Sequence, residues 1–375
     1  VIEQAKVLLG RVAAKRAEKS ILLTGLRGVG KTVLLIEMQS LAEKSGYLCG
    51  AFEAHEGKRL TAMLGPAIRK ILIRLSTKKT ITDKFKTACS AFAGFVESFK
   101  IAVDDTTFGL NIRPSKGVAD SGDIEQDLPE LFRSLGEASE DAGTPVALFI
   151  DELQYFDEKE LSSLIMSMHK VQQLQLPVVL FGAGLPILPS LAGESKSYAE
   201  RLFSFPDIGP LTEKDSERAI RDPARMSGVV FDNAAIGEIY GCTKGYPYFI
   251  QEWGYQCWNR AAASPITVDV VREATAEALE RLDNNFFRVR FDRCTNGEKD
   301  YLHTIAKLGE GPQSTGDIAK AKNVKIQTFG PVRSRLIKKG MIYSPYHGDV
   351  DFTVPLFGDF MLRTMAKQPP KKKKP

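Results

Sequence analysis

The sequence predicts an α/β chain: a parallel sheet with flanking helices, then an all-helical module, then a helical module ending in a β-hairpin. Three observations predict it. Continuous apolar runs at 21–23, 145–150 and 177–181 read as strands buried on both faces, as in a parallel sheet. Helical periodicity alternates with these runs up to about residue 205. From residue 211 the strands stop and helical patterns take over, until short apolar runs return near residue 341. A length of 375 residues favours two or three domains. We expect a core over 1–210, a helical module over 211–292, a third module over 293–366 and a basic tail over 367–375.

Composition narrows the class. A hydrophobic fraction of 43% with 26% charged residues is that of an ordinary soluble globular chain. No apolar run approaches a membrane span and no signal peptide is visible, so a cytoplasmic protein is expected. The five cysteines are scattered and form no C-x-x-C pair, which reads as reduced thiols rather than a zinc site. Val1 stands where an initiator Met is usual, so a preceding segment is expected.

In chain order, residues 1–18 read as an amphipathic helix leading into the first strand. That strand runs into Gly25-Leu26-Arg27-Gly28-Val29-Gly30-Lys31-Thr32, and Val33 opens a helical pattern. G-x-x-x-x-G-K-[ST] between strand and helix is the context of a phosphate-binding loop. The glycines let several backbone N–H groups meet an anion at a helix N-terminus. Lys31 would reach the β and γ phosphates of ATP, and the Thr32 hydroxyl would ligate Mg²⁺. The four fixed positions recur by chance in roughly one chain of this length in fifty, and the flanks lower that considerably.

Residues 47–54 read as a second strand, and 59–76 and 83–100 as helices. Residues 101–123 look irregular, with Asp104 and Asp105 read as a solvated turn. A helix over 124–142 leads into the run at 145–150, which ends in Asp151 and Glu152. Ligands of open α/β sheets bind at such carboxyl edges. Asp151 would hold Mg²⁺ through water, and Glu152 would take the proton of the attacking water as general base. After a helix over 159–174, the strand at 177–183 ends in Gly182-Ala183-Gly184, which offers no side-chain donor. Arg201 then follows in a short helix. It is a candidate arginine finger acting on nucleotide in a neighbouring subunit of a homo-oligomer, or a surface ion-pairing residue.

The helical module contains Gly245-Tyr246-Pro247-Tyr248. Tyr246 and Pro247 would line an adenine pocket, or Pro247 simply starts a helix at its first position. In the third module, helices over 298–308, 314–320 and 325–339 precede the hairpin at 341–354, the order of a winged helix-turn-helix. No acid stands between Asp317 and Asp349, whereas Lys322, Lys325, Arg333, Arg335, Lys338 and Lys339 are basic, with Lys320 beside them. This is the footprint of phosphate-backbone binding to double-stranded DNA, or a solvated face turned to a protein partner. The tail over 367–375 reads as a disordered basic extension.

Taken in order, these motifs resemble the origin-recognition-like branch of AAA+ ATPases and its relatives, the archaeal-type and STAND signalling ATPases. The residues that carry the resemblance are Gly25 to Thr32, Asp151-Glu152-Leu153-Gln154, Phe181-Gly182-Ala183-Gly184-Leu185-Pro186 and the Arg201 segment. It implies a P-loop sheet in the order 5-1-4-3-2, a helical lid, ATP held between core and lid, and nucleotide-dependent assembly. Origin-binding members carry a lid arginine on the γ-phosphate. Here the matching stretch is Gly245-Tyr246-Pro247, closer to the STAND and archaeal-type pattern. A slow, switch-like ATPase with a DNA-binding winged helix is therefore the expected function. The alternatives are a signalling scaffold whose winged helix binds protein, and a loader for a helicase or transposition complex.

Overall fold

The structure is a computed structural model, and it describes residues 1–77, 82–103 and 117–366. The turn expected at Asp104 and Asp105 and the tail expected over 367–375 lie outside the described residues. The chain divides into two compact units. One comprises Val1–Gly25 with Lys31–Ile208; the other comprises Leu26–Gly30 with everything from Gly209 onward.

The first unit runs α1 (Ile2–Ala13), β1 (Ser20–Thr24), α2 (Lys31–Lys44), β2 (Leu48–Glu53), α3 (Leu60–Ser76), α4 (Asp83–Ser98), α5 (Ile124–Ala142) and β3 (Val146–Asp151). It continues with a short 3-10 turn (Leu153–Tyr155), α6 (Glu158–Gln173), β4 (Val178–Gly184), α7 (Leu188–Ser195), α8 (Ala199–Leu202) and β5 (Phe203–Ser204). The strands form one sheet in the order β2-β3-β4-β1-β5, all parallel. This is the expected 5-1-4-3-2 order read from the other edge. Every residue of β1 and β4 is buried, which is why those runs are continuously apolar instead of alternating.

Side chains of alternate strand residues divide between two cores. Leu22, Leu148, Ile150 and Leu180 pack on α3–α6, while Ile21, Leu23, Phe149 and Phe181 pack on α1 and α2. Phe149 and Phe181 stack across neighbouring strands at 4.9 Å. The helices carry their own signals. Asp157 caps α6 in a capping box with Glu160, and Gly143 ends α5 in the left-handed region at φ 62°. Glu160 also accepts the Leu60 N–H at 2.7 Å, tying the start of α3 to α6.

The second unit contains α9 (Glu213–Met226), α10 (Asn233–Thr243), α11 (Pro247–Arg260), α12 (Val268–Arg281), a π-helical turn (Leu282–Phe287) and α13 (Arg288–Asp292). There follow α14 (Asn296–Leu308), β6 (Gln313–Ser314), α15 (Thr315–Lys322), a 3-10 turn (Ile326–Phe329), α16 (Gly330–Lys338), β7 (Ile342–Tyr343), β8 (Asp349–Phe352) and α17 (Phe357–Ala366). Strands β6, β8 and β7 make a small antiparallel sheet in that order. The sequence pattern predicts one helix over 325–339. The chain instead makes a 3-10 turn and restarts at Gly330-Pro331, because Pro331 has no N–H to continue the earlier turn and is tolerated in the first turn of a new helix.

An aromatic cluster builds the core of this unit. Phe287 lies 5.7 Å from Phe357 and 5.4 Å from Phe360, and Phe286 stacks on Tyr248 at 4.6 Å. The cluster joins α11, the π turn and α17 across the boundary expected near residue 292. Helix α17 was not expected from the sequence.

Candidate nucleotide site

Strand β1 delivers Gly25, and α2 begins at Lys31. Gly28 and Gly30 hold φ of 85° and 95°, the left-handed region in which glycine carries no Cβ penalty. Lys31 is buried, and its Nζ donates to the Gly25 carbonyl at 2.9 Å, spanning the loop. The Thr32 hydroxyl donates to Asp151 Oδ2 at 2.5 Å. These residues are 119 positions apart in sequence, and the parallel sheet brings them together. Asp151 Oδ1 in turn accepts the Glu152 N–H at 2.8 Å. Val33 sits exposed on the first turn of α2.

A hydroxyl and a carboxylate converging at the start of a helix are hard oxygen donors. Mg²⁺ prefers such donors, usually one or two carboxylates together with substrate phosphates. The loop offers the complementary half: a lysine ammonium and the N-terminus of α2, which favour phosphate. The residues present therefore fit Mg²⁺ and a nucleoside triphosphate.

Glu152 adopts φ 57°, an unusual conformation for a residue with a Cβ. Two neighbours fix it there. Leu153 is buried beneath Gly182, where an added Cβ would lie 2.4 Å from Leu153 Cδ1. Gln154 donates from its amide to Glu152 Oε2, and its carbonyl oxygen accepts the Leu185 N–H at 3.0 Å. Gly184 leaves room for it, since a Cβ there would sit 3.0 Å from Gln154 Oε1. The glycines that deny β4 a polar side chain thus make space for one from the β3 turn. Sequence reasoning named Gln154 only as part of a motif; its length and its position two residues after Glu152 were the available signal.

Arg201 stands exposed on α8, and no hydrogen bond or ion pair involves its side chain among the described residues. Within the second unit, Pro247 starts α11 at its first position. Tyr246 is wholly buried, its ring 4.8 Å from Phe249, and burial pushes its phenol well above the usual value. The Tyr248 N–H donates to the Gly28 carbonyl at 3.3 Å, and a Cβ on Gly28 would meet the Tyr246 ring at 3.0 Å. Leu26 and Arg27 are half-buried, and the Arg27 guanidinium packs where a Cβ on Gly340 would stand.

The basic residues of α15–α16 are in large part neutralised locally. Lys322 pairs with Asp300 at 2.6 Å, and Arg335 and Lys339 reach Glu298 at 3.3 and 2.7 Å. Arg333 donates to Ser344 Oγ at 2.8 Å. Lys325 and Lys338 are exposed and make no ion pair among the described residues. The acids come from α14, outside the acid-free interval that the sequence presents.

Glu298 is fully buried and closes a capping box with Thr295. Burial pushes its carboxyl up, but the Lys339 ammonium, the Thr295 N–H and the Arg335 guanidinium outweigh it and bring it down to about 2. A depressed folded-state value stabilises above the ordinary glutamate range and loses that contribution as pH falls toward 2. Acid unfolding should therefore show a component between about pH 4.5 and 2 that Glu298→Gln removes. In denaturant at neutral pH, Glu298→Ala should cost about 2 kcal/mol, because the cap goes and two cations lose their partner.

Residues 1–181 match the family described as AAA ATPase domain, and residues 284–361 match a domain of unknown function (DUF8462). A search of curated proteins finds no match. Among solved structures, the Walker-type ATPase of Pyrococcus abyssi is similar at 16% identity and TM-score 0.59, covering 96% of this chain and 95% of that one. Cdc6p of Pyrobaculum aerophilum aligns at 15% identity over 98% of this chain and 93% of its own, with TM-score 0.48. The Thermotoga maritima RuvB Holliday junction branch migration motor aligns at 16% over 98% and 95%, with TM-score 0.42. Among the described residues no helix is long and apolar enough to cross a membrane. The family match over residues 1–181, which hold the phosphate loop and strand β3, shows a P-loop AAA ATPase domain in this part of the chain.

Proposed function

We propose that the chain is a Mg²⁺-dependent, switch-like ATPase of the archaeal or STAND type, working through Lys31, Thr32, Asp151 and Glu152. The observation that carries this reading is the Thr32–Asp151 contact, which joins the phosphate loop to the carboxylate end of β3. Lys31 and the loop N–H groups hold the β and γ phosphates. Thr32 and Asp151 supply the Mg²⁺ ligands; the ion, when bound, neutralises charge that develops on the phosphate oxygens. Glu152 takes the proton of water as the water oxygen bonds to the γ-phosphorus and the bond to the β–γ bridging oxygen breaks, leaving ADP and phosphate. Arg201 is free to act on a neighbouring copy. Residues 211–292 are proposed as a helical lid domain, in which Pro247 starts α11 and the wholly buried Tyr246 backs the loop at Gly28.

Helices α14–α16 and the β6-β8-β7 sheet support a winged-helix reading of residues 293–366, with duplex DNA as its partner. The charge left uncompensated assigns the phosphate contacts chiefly to Lys325 and Lys338. Counterion release then sets a test. Six phosphate contacts would give a slope of log affinity against log salt of about −5, whereas two give about −2. We expect the shallow slope, and loss of binding in Lys325→Glu/Lys338→Glu, measured by fluorescence anisotropy on duplex DNA with ATP present and absent. A protein partner is the second reading, favoured by the exposed apolar residues Val324, Ile326 and Tyr346 on the same module. No binding of wild type to DNA at low salt would select it.

A further inference from the structure

We propose that Gln154 is a positioning residue for hydrolysis: it fixes the Glu152 carboxylate and anchors it to the end of β4. The proposal rests on the reading of Glu152 as general base.

The donor and acceptor chemistry orients the amide without ambiguity. The Leu185 backbone N–H can only donate, so the Gln154 oxygen must face it, at 3.0 Å. The amide nitrogen is thereby turned to Glu152 Oε2, and an ionised carboxylate can only accept. Only a side chain with one acceptor and one donor at its tip, at this length, can bridge the two. A glutamate there would face Glu152 with like charge; a leucine would make neither bond.

The surroundings hold that bridge in place. Leu153, locked beneath Gly182, fixes the 3-10 turn that carries Gln154. Gly184 leaves the space that the Gln154 oxygen occupies, and Leu185 N belongs to the residue just after β4. Glu152 itself sits at φ 57°, a strained conformation of the kind that concentrates at functional sites. One carboxylate oxygen is held by the amide, and the bridge leaves the other available to water. Restricting the carboxylate in this way supplies orientation, and misplacement by about 1 Å can cost a reaction about 100-fold.

The test measures single-turnover hydrolysis of radiolabelled ATP and the affinity for a fluorescent ADP analogue on the full chain. Gln154→Leu, Gln154→Glu and Glu152→Gln are compared with wild type, and thermal unfolding of each is recorded. Both Gln154 variants should slow hydrolysis about 10- to 100-fold while nucleotide affinity stays within about twofold. Gln154→Glu puts a like charge against Glu152, so Gln154→Leu, which adds none, is the variant whose wild-type-like melting separates positioning from packing. If Glu152→Gln is inactive yet both Gln154 variants hydrolyse ATP at the wild-type rate, the positioning role is wrong. It is equally wrong if their loss of rate is matched by loss of affinity and of melting temperature. If instead Glu152→Gln turns over normally, it is the general-base assignment that falls.

Discussion

Glu152→Gln is expected to abolish ATP turnover while leaving ATP bound. The substitution keeps the size of the side chain and its place after β3, and removes only the ability to accept a proton from water. General base catalysis contributes about 10²- to 10⁴-fold, so hydrolysis should fall by at least 100-fold. The phosphate contacts proposed for Lys31, Thr32 and the loop are untouched, so ATP affinity should hold within about twofold. A filter-binding assay beside a phosphate-release assay separates the two. Equal loss of binding and turnover would mean that Glu152 supports the fold of the β3 turn and does not serve the reaction.

Lys31→Ala is expected to do the reverse and remove nucleotide binding itself. Lys31 is buried, with its Nζ held across the loop by the Gly25 carbonyl, and its charge is the cation proposed to meet phosphate oxygens. Charge-assisted hydrogen bonds contribute roughly twice a neutral one, and about 3 kcal/mol lost corresponds to about 100-fold weaker ATP binding. Titration calorimetry with ATP reads this directly. Unchanged affinity would show that the loop binds phosphate through its backbone alone.

The core of the fold was legible because β1, β3 and β4 are buried on both faces, which leaves short continuous apolar runs bounded by turn residues. The loop was legible because glycine carries no Cβ penalty at the backbone angles of Gly28 and Gly30, and G-x-x-x-x-G-K-[ST] stands between a strand and a helix. What escaped depends on partners distant in sequence. The basic run of α15–α16 looks unopposed until α14 brings Asp300 and Glu298 against Lys322, Arg335 and Lys339. A one-dimensional count of charge cannot see such compensation.

Gln154 escaped for the same reason, since its acceptor role is defined by a backbone N–H 31 residues later. The split of the predicted helix over 325–339 was legible in principle from Gly330-Pro331, where proline favours a restart over a continuous helix. Helix α17 was legible in principle, since Phe357, Phe360 and Met361 stand at helical spacing, but Phe287 of the π turn, on which Phe357 and Phe360 pack, is distant in sequence.

The central claim is that the phosphate loop and the end of β3 act as one metal–nucleotide site through Thr32 and Asp151. The most direct test is the affinity for ATP measured with Mg²⁺ and with excess EDTA, in wild type and in Asp151→Asn. Wild type should bind ATP at least about tenfold more tightly with Mg²⁺, and Asp151→Asn should lose most of that increment while its affinity in EDTA changes little. An identical Mg²⁺ increment in the two proteins would contradict the assignment of Asp151 and, with it, the joined site.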